Sequence, residues 1–240
     1  MTDWLDPVRA ALDARSKPFD LFVRDDDGGW DDDALVALLD TCAMTGTVVD
    51  VAVIPDALDD DLAVSLSERA AAGVARVHQH GRAHTNHEPE GRRCEFGASR
   101  SYAQQLDDIG AGQARLRDAF GARLDSVFTP PWNRCVEATA DALVACEIAV
   151  LSRDVSAVPF GRADLTEIPV TVDWMAKRDA AWTPSQLGAR LAAGLDRTDT
   201  VGVMLHHAVT DADERDRIAE FLGLVRPWAR PTTIARLADR

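Results

Sequence analysis

Val23-Arg24-Asp25-Asp26-Asp27-Gly28-Gly29-Trp30 is the stretch whose reading decides the fold. A largely apolar run over residues 19–23 reads as a buried strand, and it ends in three consecutive acids. Two glycines follow, which let the backbone turn tightly, and then a second acidic run over residues 31–33. Adjacent carboxylates repel one another, so a solvated loop is the plain reading of such a run. Its place at a strand end offers another reading, because carboxylates presented there can hold a metal or move a proton. Partners elsewhere in the chain decide between the two.

Outward from this stretch, helical periodicity covers residues 2–15, 32–44, 58–72, 101–121, 134–146, 184–195 and 211–225. Strands are expected over residues 19–23, 47–54, 74–78, 124–129, 148–152, 165–172 and 201–206, with a last strand or short helix after Pro231. Regular alternation of strand and helix argues a parallel α/β architecture. No Gly-x-Gly-x-x-Gly follows the first strand, so a dinucleotide-binding sheet is disfavoured. A barrel of strands ringed by helices fits better, with its active site at the strand C-termini. No repeat or linker interrupts residues 1–240, which are expected to form a single domain.

Composition narrows the function. The chain is 46% hydrophobic and 28% charged, as globular proteins are. Its net charge of -14 argues against nucleic acid and against an anionic membrane surface as partners. The first residues show no basic and apolar leader pattern, and no apolar run approaches a membrane span. Cys42, Cys94, Cys135 and Cys146 lack Cys-x-x-Cys spacing. A cytoplasmic protein with free thiols is therefore expected, Cys42 and Cys146 packing as small apolar residues within helical patterns.

The distinctive side chains gather at strand ends. These are Asp25, Asp26 and Asp27; His78, His80 and His84; Pro130, Pro131, Trp132 and Asn133; Asp173 and Trp174; and His206 and His207. On a helical turn, His80 and His84 at i and i+4 would point the same way and could share one metal. With a carboxylate from Asp26 or Asp27 the set becomes two imidazoles and one carboxylate. That leaves coordination positions open for water and substrate, as a catalytic zinc or similar divalent site requires. The competing reading is a hydrogen-bonded polar loop with ordinary histidines.

Asp26-Asp27-Gly28, His80-x-x-x-His84, Phe128-x-Pro-Pro-Trp132, Asp173-Trp174 and Leu205-His206 occur in this order. Together they resemble the five motifs of the polysaccharide deacetylase family (NodB homology, carbohydrate esterase 4). The resemblance implies a distorted seven-stranded (β/α) barrel and a divalent metal, commonly zinc. It implies Asp26 as general base, Asp27, His80 and His84 as metal ligands, and His206 as general acid. Pro131 and Trp132 would belong to the substrate groove, with nearby backbone N–H groups for the oxyanion. Asp173 would orient and tune the catalytic histidine, and Trp174 would wall the pocket.

The implied function is metal-dependent removal of an acyl group, N-acetyl above all, from a sugar-like or other small amide substrate. The partner is then a small molecule or carbohydrate. The alternative is a catalytically weak carbohydrate-binding protein on the same fold, and one departure from the motifs motivates it. The family often has an arginine before the prolines, paired with the catalytic aspartate, where this chain has Thr129. Arg24 and Arg134 are the candidates to replace it. Asp25 is a third acid with no assigned task, and His207 beside His206 leaves two candidates for the acid. His78 reads as structural or supporting, His87 is an extra histidine, and the acids over residues 31–33 read as favourable charge at a helix N-terminus.

Overall fold

Ten consecutive buried residues make the central strand of the computed structural model, which describes residues 3–177 and 180–240. In chain order the elements are α1 (Asp6–Ala14), β1 (Phe19–Gly28), α2 (Asp32–Met44), β2 (Val49–Val53), α3 (Asp60–Ala71), β3 (Ala75–His80), α4 (Tyr102–Phe120), β4 (Leu124–Thr129), α5 (Glu137–Ala145) and β5 (Val150–Leu151). They continue with β6 (Thr166–Glu167), β7 (Val172–Asp173), β8 (Met175–Lys177), β9 (Ala180–Ala181), α6 (Pro184–Arg197), β10 (Thr200–Leu205), α7 (Ala212–Val225), β11 (Ala229–Pro231) and α8 (Ile234–Ala238).

The main sheet runs β6-β5-β4-β3-β2-β1-β10-β7, and its pairings are parallel. β11 adds to β1 at Phe19 to Leu21, below Val23, where pairing with β2 begins. The tail after Pro231 thus follows a short strand with a short helix. β8 and β9 form a separate antiparallel ribbon. Among the described residues no helix is long and apolar enough to cross a membrane.

β1 runs on through the acids to Gly28, past Val23 where the expected strand ends, and another expected strand divides. Residues 165–172 do not make a single strand but supply both edges of the sheet, β6 against β5 and β7 against β10. Pro169 lies between them and has no N–H to give a ladder. The path therefore contains eight strands rather than seven. A bridge from Val170 to Asp154 and a bond from Thr171 N to Gly202 O carry the segment across.

Alternation along β1 sorts its side chains. Leu21 and Val23 pack with Leu35, Leu38 and the other helix-facing apolar residues. Phe22 packs in a separate inner cluster with Val127, Val150, Met204 and Ile234 of α8. Arg24 and Asp26 continue the inner row, and Asp25 continues the outer one. Cap residues set the helix starts. The Asp31 carboxylate accepts from Ala34 N at 3.3 Å ahead of Asp32 and Asp33 in the first turn of α2. Ser101 and Gln104 form a capping box on α4, and Thr183 and Gln186 form one on α6.

Candidate metal centre and active site

Strict alternation would send Asp27 outward with Asp25. Instead, the register between β1 and β2 shifts between Asp25 and Gly28, and Asp27 has φ 70. This bulge re-aims the side chain, so that Asp26 and Asp27 line the same pocket. Asp27 Oδ1 then lies 3.3 Å from His80 Nε2 and 3.1 Å from His84 Nε2. The three candidate ligand atoms are all within 4.8 Å of one another. Burial pushes the Asp27 carboxyl up, but both imidazoles outweigh it and hold the group far below the usual carboxylate range.

The histidine pair is not on a helical turn as its spacing suggested. His80 ends β3 and His84 sits in the loop beyond, with φ 54. Gly81 starts that loop at φ 56, and a Cβ there would stand 2.6 Å from Pro131 Cδ and also strike Glu95. Glu95 is buried and accepts from the backbone N–H of Ala83 at 2.8 Å and of Arg82 at 3.3 Å. Pro131 accordingly packs under the ligand loop rather than lining the pocket. The His84 ring lies between Trp30 and Trp132, with centroids 4.6 and 4.4 Å away.

These residues fit a divalent ion. His80 Nδ1 donates to Thr129 O at 3.0 Å, which fixes the tautomer and leaves Nε2 as the free nitrogen. That Nε2 is buried and has no hydrogen-bond partner. Two imidazole nitrogens and one carboxylate oxygen, with open space beside them, suit zinc or a similar divalent metal.

Asp26 is held from its own strand. Arg24 Nε donates to Oδ1 at 2.7 Å and Nη2 to Oδ2 at 2.9 Å, a bidentate fork with both side chains buried. The guanidinium is fixed in turn by Ser152 O at 3.1 Å, Ser152 Oγ at 2.9 Å and Asn133 Oδ1 at 2.7 Å. Of the two replacements for the motif arginine, Arg24 therefore pairs with the aspartate. Arg134 donates to Arg93 O instead. Burial pushes Asp26 up, yet Arg24, His80 and His206 together hold it below its ordinary value. His78 is driven down to about 3 by burial and by Arg24. Its neutral ring shares a 2.9 Å hydrogen bond with Thr129 Oγ1, the structural placement expected for it.

The two adjacent histidines separate. His206 lines the pocket, and its Nδ1 is buried without a hydrogen-bond partner. His207 turns away, its Nδ1 2.6 Å from Asp25 Oδ2 and its Nε2 bonded to Trp30 O. Burial opposes its charge, but Asp25 outweighs burial and raises His207 to about 9. Asp173 lines the pocket with His206. Burial raises its carboxyl while the His206 charge opposes the rise, and Oδ1 accepts from Met175 N at 3.0 Å.

Trp174 corrects an expectation. It is 1% exposed and lies in the helix-facing core, not at the pocket. Its indole Nε1 donates to Glu214 at 2.8 Å, and its ring meets Trp4 and Phe221 edge-on. Alternation explains the placement, since Asp173 and Trp174 are consecutive and only one can face inward.

The resulting pocket has a volume of about 250 Å³ and is lined by Asp26, Asp27, His80, His84, Trp132, Asp173 and His206, together with Asn133, Arg134 and Met204. Asp27, His84, Trp132 and Asn133 all have positive φ. Each conformation costs on the order of 1 kcal/mol for a non-glycine residue, and such strain concentrates at functional sites. Sequence reasoning assigned no role to Trp30, Ser152 or Asn133. Only Trp30, directly after the glycine pair, and Asn133, directly after the prolines, stood near recognised motifs.

No protein-family model and no curated protein matches this sequence. Solved structures do match. A family 4 acetyl xylan esterase from Clostridium thermocellum, in complex with a cobalt ion, superposes with TM-score 0.64 at 14% identity, over 90% of this chain and 89% of that one. A Mycobacterium smegmatis protein assigned as a polysaccharide deacetylase gives TM-score 0.68 at 14% identity, over 94% and 91% of the two chains. A pseudoenzyme of the CE4 family from Bacillus anthracis gives 0.64 at 13% identity, over 93% of this chain and 66% of that one. The chain thus has the NodB-like α/β fold of the carbohydrate esterase family 4 polysaccharide deacetylases.

Proposed function

We propose that the chain, acting as one domain, is a zinc-dependent hydrolase that removes an acyl group, N-acetyl above all, from a sugar-like substrate. One observation carries the reading. The Asp27, His80 and His84 set shares a pocket with an aspartate held by arginine and with a histidine whose Nδ1 has no partner. The names of similar structures, an acetyl xylan esterase and a polysaccharide deacetylase, point to the same chemistry.

An amide is a weak electrophile with a poor leaving group, so base, acid and electrophilic assistance are all needed. Asp27, His80 and His84 would hold a divalent ion, which would supply Lewis-acid polarisation of the carbonyl and a more acidic water. Asp26 takes the proton of the attacking water. Arg24 keeps that carboxylate ionised and aimed. His206 gives a proton to the departing amine, with Asp173 beside it in the pocket. Trp132 offers a flat apolar face to a sugar ring, and backbone N–H groups near Pro131 receive the oxyanion.

The second reading is a sugar-binding protein without turnover, which the pseudoenzyme among the similar structures keeps in view. Metal analysis followed by acetate release from N-acetylglucosamine oligomers and from other acylated small molecules separates them. Stoichiometric metal with hydrolysis supports the enzyme. Stoichiometric metal with no hydrolysis of any acylated substrate overturns it, and failure to bind added zinc or cobalt removes the metal site from both readings.

A further inference from the structure

The metal-site pocket opens into a second cleft of about 620 Å³, and the two share Trp132, Asn133, Arg134, Asp173, Met175 and Met204. Acids outnumber bases by 40 to 26 in this chain, yet three arginines, Arg92, Arg134 and Arg190, converge on this cleft. Among the described residues none of the three has a carboxylate partner. Two acids, Asp154 and Asp173, line the cleft as well, but among the described residues neither forms an ion pair with these arginines. Asp154 accepts from Ser156 N at 2.8 Å and Asp173 from Met175 N at 3.0 Å.

Two buried donors sit in the same wall. Arg134 Nε and Trp182 Nε1 are both buried without a hydrogen-bond partner, an arrangement that costs free energy unless a ligand accepts from them. Arg134 is pushed below its ordinary value by burial and by the neighbouring Arg92 cation. Like charges left close and uncompensated are a cost that an anion would relieve. The Arg190 guanidinium lies over the Trp182 ring, 4.4 Å from its centroid, which keeps that cation in place on the cleft wall.

We propose that this cleft binds an anionic group of the substrate, so that the acylated sugar carries a carboxylate or a phosphate. The inference rests on the hydrolase reading above and narrows its substrate class. Arginine forks pair with carboxylate and phosphate alike. Trp132 lines both cavities, so a sugar ring against it can place its acyl group at the metal ligands and its anion among the arginines.

The test uses the full chain reconstituted with zinc. N-Acetylglucosamine is compared with its 6-phosphate and its 1-phosphate, and with N-acetylmuramic acid as the carboxylate form. The expected result is a higher kcat/KM for at least one anionic sugar than for the neutral one, the preferred member identifying phosphate or carboxylate. Arg92→Glu and Arg190→Gln, both at exposed positions, should lower the anionic-to-neutral ratio by roughly tenfold or more. A ratio near one that neither substitution changes overturns the inference and leaves the hydrolase reading standing. If no sugar is hydrolysed, binding decides. Glucosamine and glucosamine 6-phosphate are titrated by calorimetry, together with glucosamine carrying the carboxylate-bearing ether. Arginine-dependent preference for an anionic amine then supports the anion site although the hydrolase reading has failed. Equal binding overturns both.

Discussion

Asp25 and His207 form a buried ion pair, 2.6 Å between Oδ2 and Nδ1, on the opposite side of β1 from the pocket that Asp26 lines. His207 N also donates to Asp25 Oδ1 at 3.0 Å, and the ring's Nε2 bonds to Trp30 O. Consecutive carboxylates on one strand thus face different cations. The pair ties the segment after β10 to the turn after β1, whose Trp30 ring lies against the candidate ligand His84.

Removing one partner tests this tie. Asp25→Asn leaves His207 buried without its counter-charge, and breaking such a pair typically costs about 3–5 kcal/mol. Urea denaturation at neutral pH should show a loss of that order. The wild-type pH dependence has a definite sign. His207 is raised from 6.5 to about 9, so its stabilisation is fully present below pH 6.5 and is lost as pH rises through 9. The loss amounts to roughly 3 kcal/mol, and Asp25→Asn should flatten stability across that alkaline window.

In the proposed mechanism Arg24 acts through Asp26, so its test needs more than a rate. Arg24→Gln should keep bound zinc, because no candidate ligand depends on the guanidinium. It should lower kcat by about tenfold to a hundredfold through misplacement of the carboxylate. Arg24 is the largest influence holding the Asp26 carboxyl down against burial, so without it the acidic limb of the kcat profile should move to higher pH. An unmoved limb would assign Arg24 a purely structural role. Arg24→Lys should recover little, since a point charge cannot reproduce the two-pronged bond.

The proposed base and ligand roles make opposite forecasts for metal. Asp26→Asn should abolish turnover while zinc content stays near that of the wild type. His84→Ala should lose both. Metal analysis of the two purified variants checks this, and full activity in Asp26→Asn would move the base elsewhere.

How much of this was legible in the sequence depended on the range of the interaction. The acidic charge at the N-terminus of α2, the acids at the end of β1 and the strand-end histidines are local patterns, and they were readable. Pairings across the sheet were not. Arg24 and Arg134 were both candidates to pair with Asp26, and the choice between them depends on Ser152 and Asn133 fixing the Arg24 guanidinium. The inward turn of Asp27 depends on a bulge against β2, and spacing alone made His80 and His84 look helical. Pro169 was visible within residues 165–172, but its consequence, two edges drawn from one segment, needed the positions of β5 and β10. Trp174 was placed with its neighbour by motif, whereas alternation sent it to the core.

Gly81→Ala tests the geometry of the ligand loop without touching a ligand. The new methyl would meet Pro131 at 2.6 Å and the Glu95 carboxylate, at a φ of 56. The left-handed backbone alone costs about 1 kcal/mol for alanine, and the clash adds to it. Zinc affinity should fall more than global stability, since displacement of the loop moves His84 from Asp27. Competition with a chelator, set beside thermal unfolding of the metal-free protein, measures the two separately.

Asp50 offers a stabilising change at a residue that pairs with Arg24 in the sheet but does not line the pocket. It lies on β2, is 1% exposed, and Oδ2 accepts from Ile234 N at the start of α8 at 3.0 Å. Burial raises its pKa to about 8, only partly offset by that hydrogen bond. A raised carboxyl stabilises the fold most below its unfolded value, 3.8, and that contribution is lost as pH rises through 8. At pH 7 the unfolded chain gains by releasing the proton and the native state does not. The penalty is on the order of 4 kcal/mol. Asp50→Asn keeps an acceptor for Ile234 N and has no proton to lose. The variant should be more stable than wild type at pH 7, and the difference should shrink as pH falls toward 4. Urea midpoints across that range decide it, because a variant less stable at every pH would show that the carboxyl is needed for a contact an amide cannot make.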